Sequence, residues 1–447
     1  MRVESPLVSR RTPLAVTVIA LLLAASPVVA AAPPAKPRAP RRPATVDLVW
    51  HVENLAGEPV ASKRQDEPIN PASVVKVGTS LWALERLGPD FRFETRFFAR
   101  GKVDVARGVL EGDLVVRGAG DPDFQAESAF LVASALNQVG IKQVKGAVVV
   151  SRDFWMGWEN GSSGVEPDPV KRSLLMATRL RQALDPKRWN AATRRAWREF
   201  ALRRGLNHNY PPHVQVAGGI GVDGERTGDL VLVHRSGPLG STLRRFNCYS
   251  NNDIERVGAD LGPVEELASL LRVRSDAPAD AIRFETTSGL GTNRATPRLI
   301  VRLLREFVTT CARVGVDVES VLPVAGCDPG TVDRFFPKLQ VAPFTASVVG
   351  KTGTLTSTDG GIAVLAGIAR TARGDLAFCV AAPRASGKLQ LARRVEEQWL
   401  LDLIASNGGP RPRTCAPPLL STDAEASIIV VRGAAPTTTA ATAAAAH

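Results

Sequence analysis

A serine three residues ahead of a lysine, at the mouth of an apolar helix, sets the terms for this chain: Asn70-Pro71-Ala72-Ser73-Val74-Val75-Lys76. Val74, Val77, Leu81, Leu84 and Leu87 recur at helical spacing, and Gly88-Pro89 ends the run. Asn70 is placed to cap the helix, and Pro71 suits its first turn. At i and i+3 the Ser73 hydroxyl and the Lys76 amine share one helix face. A serine hydroxyl attacks well only when a base takes its proton, and a lysine serves as that base when burial or a nearby cation lowers its pKa. Alone, Ser-x-x-Lys is a common accident, so its meaning depends on what else the chain carries.

The first 32 residues read as a secretory signal peptide. Arg2, Arg10 and Arg11 are followed by the apolar run Leu14–Ala25 and by small residues suited to cleavage. General export is expected, with a twin-arginine route as the alternative, because Ser9-Arg10-Arg11 precedes the apolar run. No transmembrane anchor is expected after cleavage. Residues 33–45 form a linker rich in Pro and Arg, and structure is expected from Val46. The stretches 91–97 and 112–117 alternate as strands, and residues 127–139 read as a helix. Residues 169–205 form a basic helical segment packed by Trp189, Trp197 and Phe200. Leu261–Val273, Pro297–Val314 and Leu389–Ala405 read as helices, and Val364–Ile368 and Ala377–Ala381 as buried antiparallel strands. From residue 421 to 447 the drift towards Ala and Thr reads as a disordered tail.

Composition excludes several classes. With 447 residues, 44% hydrophobic and 22% charged, the chain is globular rather than disordered or membrane-spanning. The formal net charge of +12 fits a general attraction to polyanions. No interleaved basic and aromatic residues accompany it, so no nucleic-acid partner is expected. The five cysteines include no Cys-x-x-Cys pair; a single bridge is compatible with them, but their spacing does not say which. The five histidines lack metal spacing, and no metal or cofactor is expected. Nothing in the sequence signals an oligomeric state.

Two further motifs meet the first. Ser250-Asn251-Asn252 has the form Ser-x-Asn, and Lys351-Thr352-Gly353 stands directly before Thr354, ahead of an apolar strand. Ser-x-x-Lys, Ser-x-Asn and Lys-Thr-Gly in this order mark acyl-serine enzymes that handle D-alanyl peptides and β-lactams. Beyond the triplets the sequence resembles the low-molecular-mass class C penicillin-binding proteins, the D-alanyl-D-alanine carboxypeptidase/endopeptidase family. The resemblance is carried by Leu84–Phe91, by Gly118-Ala119-Gly120-Asp121-Pro122-Asp123, by His234–Leu239, by Ser288-Gly289-Leu290 with Asn293, by Leu322–Gly326, and by Lys351–Leu355.

The resemblance implies an α+β fold. A transpeptidase/β-lactamase-like domain, an antiparallel sheet with flanking helices, is expected over residues 46–91 and 233–420, split by a smaller α+β module over 92–232. The stretch between Lys76 and Ser250 is short for a family that usually carries two inserted modules, and the basic segment 169–205 stands in place of the second. At Ser151 similar proteins tend to have an aspartate linked to binding the free amine of a diaminopimelate side chain; here Asp153 follows two residues later.

The implied activity is that of a serine-type D-alanyl-D-alanine carboxypeptidase, with endopeptidase action at the same site. Its substrates are peptidoglycan stem peptides, β-lactams are its inhibitors, and its place is the periplasm or cell envelope. The implied roles make Ser73 the nucleophile, Lys76 its base, Ser250 the proton carrier and Asn252 a holder of the substrate peptide group. Lys351 and the hydroxyl of Thr352 or Thr354 receive the terminal carboxylate, with Gly353 between them. A β-lactamase is the rival enzyme, although no Glu-bearing loop is assignable to activating a water. A non-catalytic cell-wall-binding protein of the same fold is the rival from another class, and its expected mark, loss of Ser73 or Lys76, is absent.

Overall fold

Alternating stretches and unbroken apolar runs sort into two sheets. The computed structural model describes residues 45–431 except 162–163, 224–226, 279 and 420. The expected signal peptide, nearly all of the linker and residues 432–447 lie outside the described residues.

In chain order the elements are β1 (Val49–Asn54), β2 (Pro59–Lys63), α1 (Val75–Leu87), β3 (Glu94–Asp104), β4 (Val109–Arg117), α2 (Ala126–Gln138), β5 (Gln143–Val144) and β6 (Val148–Val150). Next come α3 (Pro169–Leu184), α4 (Ala191–Arg203), β7 (Gln215–Val216), β8 (Ile220–Val222) and β9 (Asp229–Arg235). The chain continues through α5 (Leu239–Tyr249), α6 (Ile254–Leu261), α7 (Val264–Arg274), α8 (Pro297–Arg313), α9 (Thr331–Phe335) and β10 (Val348–Leu355). It ends with β11 (Ile362–Thr371), β12 (Gly374–Pro383), α10 (Leu389–Ser406) and β13 (Ser427–Val430). None of the described helices is long and apolar enough to cross a membrane.

The first sheet has the order β10-β11-β12-β1-β2, all antiparallel. Helices cover both its faces. One apolar core joins it to α1, α5, α6, α7 and α8, and another joins it to α9 and α10. That double cover is why β11 is buried along its whole length and shows no polar alternation. Strand β10 is an edge, and the Lys351-Thr352-Gly353-Thr354 run lies on it.

The second sheet has the order β13-β9-β3-β4-β5-β7, with β6 joined to β4 and to β8. Its core includes residues of α2 and α3. The aromatic residues of the basic segment close round Phe130 of α2, with Trp189, Trp197 and Phe200 rings at 5.2, 5.4 and 5.5 Å from its own. These are packing contacts of the kind that hold a helix in place.

Four expectations need correction. Strand β9 runs to Arg235, so the return from the module extends past residue 232. The tail is not disordered from 421: Ile428 pairs with His234 of β9, and buried Asp423 takes ion pairs from Arg203 and Arg204. The β-branched run Ile428-Ile429-Val430-Val431 supplies a missing sheet edge before the Ala/Thr bias sets in. Leu261–Val273 is no single helix, because Gly262 at φ 145° and Pro263 separate α6 from α7. The first strand of the module begins at Glu94, after Phe91 and Phe93 have packed edge to face.

Cys327 and Cys415 form a disulfide with Cα atoms 5.6 Å apart, while Cys248, Cys311 and Cys379 are buried and free. The bridge ties the segment after α10 to the loop before α9, across 88 residues of chain. Closing so long a loop restricts the unfolded state. Cys415→Ser is therefore expected to lower unfolding stability by about 2–4 kcal/mol, read as a lower denaturant midpoint, without loss of the fold.

Candidate active site

Ser73 sits at a bend rather than inside α1. Residues Ala72–Val74 make one 3-10 turn before α1 begins at Val75. Ala72 has φ 47°, a left-handed conformation that a non-glycine residue adopts at a cost. Three contacts hold this elbow. The Ala72 N–H donates to Asn70 Oδ1 at 3.0 Å. The Asn70 amide in turn donates to the Gly291 carbonyl at 2.9 Å and to Asp359 at 2.8 Å. Asn70 thus does more than cap a helix; it links the elbow to two distant loops. Gly289, at φ 86°, packs directly on the Ala72 carbonyl with no room for a Cβ. On the other side β10 comes so close that a Cβ on Gly353 would lie 2.6 Å from the Pro71 carbonyl oxygen. The two glycines of Ser288-Gly289 and Lys351-Thr352-Gly353 are there because backbone meets backbone.

Lys76 is fully buried, and its Nζ touches three oxygens: Ser73 Oγ at 2.9 Å, Asn252 Oδ1 at 2.9 Å and the Ser288 carbonyl at 2.7 Å. Burial drives the Lys76 pKa well below the usual lysine value, and the Lys351 cation pushes it further down, with Glu255 opposing. A neutral amine has two N–H groups and one lone pair. The amide and carbonyl oxygens can only accept, so they take the two N–H groups. In the neutral form the lone pair would then face the Ser73 hydroxyl, placed to receive its proton.

Lys351 is also fully buried, and its Nζ donates to the Thr352 carbonyl at 2.9 Å. Burial lowers its pKa to about 7. The Thr352 hydroxyl donates to Thr331 Oγ1 at 2.7 Å, and Thr354 Oγ1 accepts from Arg393 at 3.1 Å. Ser250 closes α5 in a left-handed conformation, φ 56°. Its hydroxyl takes no part in the Lys76 bonds.

Sequence reasoning missed several members of this site. Asn252 Nδ2 donates to Asn160 Oδ1 at 3.0 Å, and Asn160 belongs to the module. The loop that carries it is pinned to Asp253, whose carboxylate accepts from the Glu159 N–H at 2.9 Å and the Gly161 N–H at 2.9 Å. Arg245 pairs with Asp123 of the Gly-Asp-Pro loop, and Arg256 donates to the Pro122 carbonyl at 2.8 Å. The module therefore completes the setting of Asn252. Glu255 accepts from the Ser288 hydroxyl beside Lys76. Glu255 was readable only as a helix-start acid, and Asn160 and Arg393 had no local signature at all.

A protein-family model described as the D-Ala-D-Ala carboxypeptidase 3 (S13) family matches residues 46–172 and 204–394. The unmatched stretch between them holds most of α3 and all of α4. The chain is 36% identical over 93 residues to the D-alanyl-D-alanine carboxypeptidase DacB of Haemophilus influenzae, covering 20% of this chain and 19% of that protein. It is 33% identical over 108 residues to a D-alanyl-D-alanine carboxypeptidase of Actinomadura sp., covering 24% of this chain and 20% of that one. These matches span about a fifth of each curated relative's length. Among solved structures, a predatory endopeptidase of Bdellovibrio bacteriovorus in complex with its immunity protein superposes with a TM-score of 0.71 at 22% identity, covering 86% of this chain and 100% of that one. Penicillin-binding protein 4 of H. influenzae superposes with a TM-score of 0.58 at 19% identity, covering 81% and 97%. At these identities the superpositions establish a shared fold.

Two expected outcomes test this geometry. Gly289→Ala forces a methyl group against the Ala72 carbonyl; it is expected to destabilise by about 1–3 kcal/mol and to slow acylation of Ser73 by a serine-reactive probe. Glu255→Gln removes the charge that holds the Lys76 pKa up. The neutral amine then persists to lower pH, so the acid limb of the acylation rate should shift downward in a pH series.

Proposed function

The chain belongs to the D-Ala-D-Ala carboxypeptidase 3 (S13) family, and from that membership we propose that it is a serine-type D-alanyl-D-alanine carboxypeptidase acting on peptidoglycan stem peptides. The observation that carries this reading is the buried Lys76 amine, 2.9 Å from Ser73 Oγ and held by two further acceptors. A binding protein that had given up catalysis would have no need to keep a lysine desolvated at such cost.

In the proposed reaction Ser73 Oγ attacks the carbonyl carbon of the penultimate D-alanine while Lys76 takes the hydroxyl proton. The N–H groups of Ser73 and Thr354 receive the oxyanion, where one lost donor typically costs about 10²–10³ in rate. Ser250 passes a proton to the nitrogen of the departing D-alanine as the C–N bond breaks. Water then hydrolyses the ester, releasing the shortened peptide and restoring Ser73. Asn252, oriented by Asn160, holds the substrate peptide group. Lys351 and a threonine hydroxyl of β10, that of Thr352 or Thr354, receive the terminal carboxylate.

β-Lactams would acylate the same serine, and a penicillin G-acylated form is known for the Bdellovibrio endopeptidase of this fold. That neighbour's name also favours a second activity, cleavage of peptide cross-links by the same serine. The expected site of action is the cell envelope after export.

The test is release of D-alanine from a stem pentapeptide. Wild-type protein should release it, and Ser73→Ala should not, with unfolding unchanged. Undiminished release by Ser73→Ala would overturn the assignment. Lys351 must carry its proton to bind a carboxylate, so kcat/KM should fall as pH rises through about 7. Lys351→Arg, which stays charged, should move that alkaline limb upward.

A further inference from the structure

Thr352 and Thr354 project from the same side of β10, and both are candidates to bind the terminal carboxylate of a substrate. Their hydrogen bonds are not equivalent. The Thr352 hydroxyl donates to Thr331 Oγ1 at 2.7 Å, and Thr331 donates onward to the Cys248 carbonyl at 3.4 Å. Both protons of that chain point into the protein. Thr352 is also buried. Thr354 has the opposite arrangement: its Oγ1 accepts from the Arg393 guanidinium at 3.1 Å. An oxygen that accepts from Arg393 keeps its own proton free to donate to another group.

Arg393 is held for this purpose. It comes from α10, which packs on the sheet, and its guanidinium carbon lies over the Phe335 ring of α9 at 3.5 Å from the centroid. Partial burial lowers its pKa, and fully buried Glu396, one helical turn further on, opposes that shift. A stacked, planar guanidinium has few orientations to choose from, so the Thr354 hydroxyl rotor is fixed with it.

We propose that Arg393 is a positioning residue for terminal-carboxylate recognition, acting through Thr354 and making Thr354 rather than Thr352 the hydroxyl that donates to the carboxylate. The inference rests on the peptidase reading above. It gives the chain a structural ground for preferring a free C-terminus: the Thr354 proton is presented, and the Lys351 cation lies on the same strand.

The experiment compares two peptides that differ only at the terminus, a stem peptide ending in D-alanyl-D-alanine and its C-terminal carboxamide. Wild-type enzyme should favour the acid. Arg393→Ala should cut kcat/KM on the acid about ten- to a hundredfold, mainly through KM, because a hydrogen bond to a charged group has lost its orientation. The carboxamide should be hydrolysed as before. Arg393→Lys should recover much of the preference, and Arg393→Ala added to Thr354→Val should cost nothing beyond Thr354→Val alone. Equal losses on both peptides would overturn the proposal, since they mark a general structural defect, and so would an unchanged acid-to-amide ratio. Should Arg393→Ala fail to fold, Phe335→Leu removes the stacking surface and should lower the ratio in the same direction; no change there would overturn the proposal as well. Wild-type protein that hydrolyses neither peptide would instead sink the peptidase reading itself.

Discussion

Everything in this site depends on an amine that has been taken out of water. A lysine normally keeps its proton far above neutral pH, and a protonated Lys76 could only donate to Ser73. The fold weakens that hold by burying Nζ completely and putting a second buried lysine nearby on β10, and it offers two obligate acceptors. The two acceptors come from residues far away in sequence, the Asn252 side chain and the Ser288 backbone. The tertiary structure, more than the Ser-x-x-Lys spacing, is what lowers the lysine's hold on its proton.

The backbone around it is arranged to the same end. Ala72 is held in a left-handed turn, clamped between Gly289 and the β10 segment at Gly353, and tied by Asn70 to the loops at Gly291 and Asp359. The inserted module contributes too. Its loop at Glu159–Gly161 is pinned by the Asp253 carboxylate, and that places Asn160 to orient Asn252. The module thus reaches the chemistry through one asparagine, while its sheet and its aromatic cluster each have a core of their own.

Much of this was legible in the sequence. The helix of Ser73, the apolar β11 and β12, and the amphipathic α8 each carry a one-dimensional pattern that survives without knowledge of the fold. The three triplets named Ser73, Lys76, Asn252 and Lys351 because each sits in its own recognisable local setting. Asn160, Glu255 and Arg393 stayed hidden because their roles exist only after sequence-distant loops meet; Arg393 lies 39 residues from the threonine it holds. The disulfide was hidden for the same reason, as spacing does not say which cysteines become neighbours. β13 was masked by the biased composition that follows it, although its β-branched run was there to be read.

The central claim, a Ser73 hydroxyl activated by a neutral Lys76, is most directly tested by the mass of the intact protein during incubation with benzylpenicillin. The account predicts one covalent adduct, stable over the time course and mapped to Ser73. Folded protein that gains no adduct while the penicillin remains intact would contradict it, and so would an adduct mapped to any other residue.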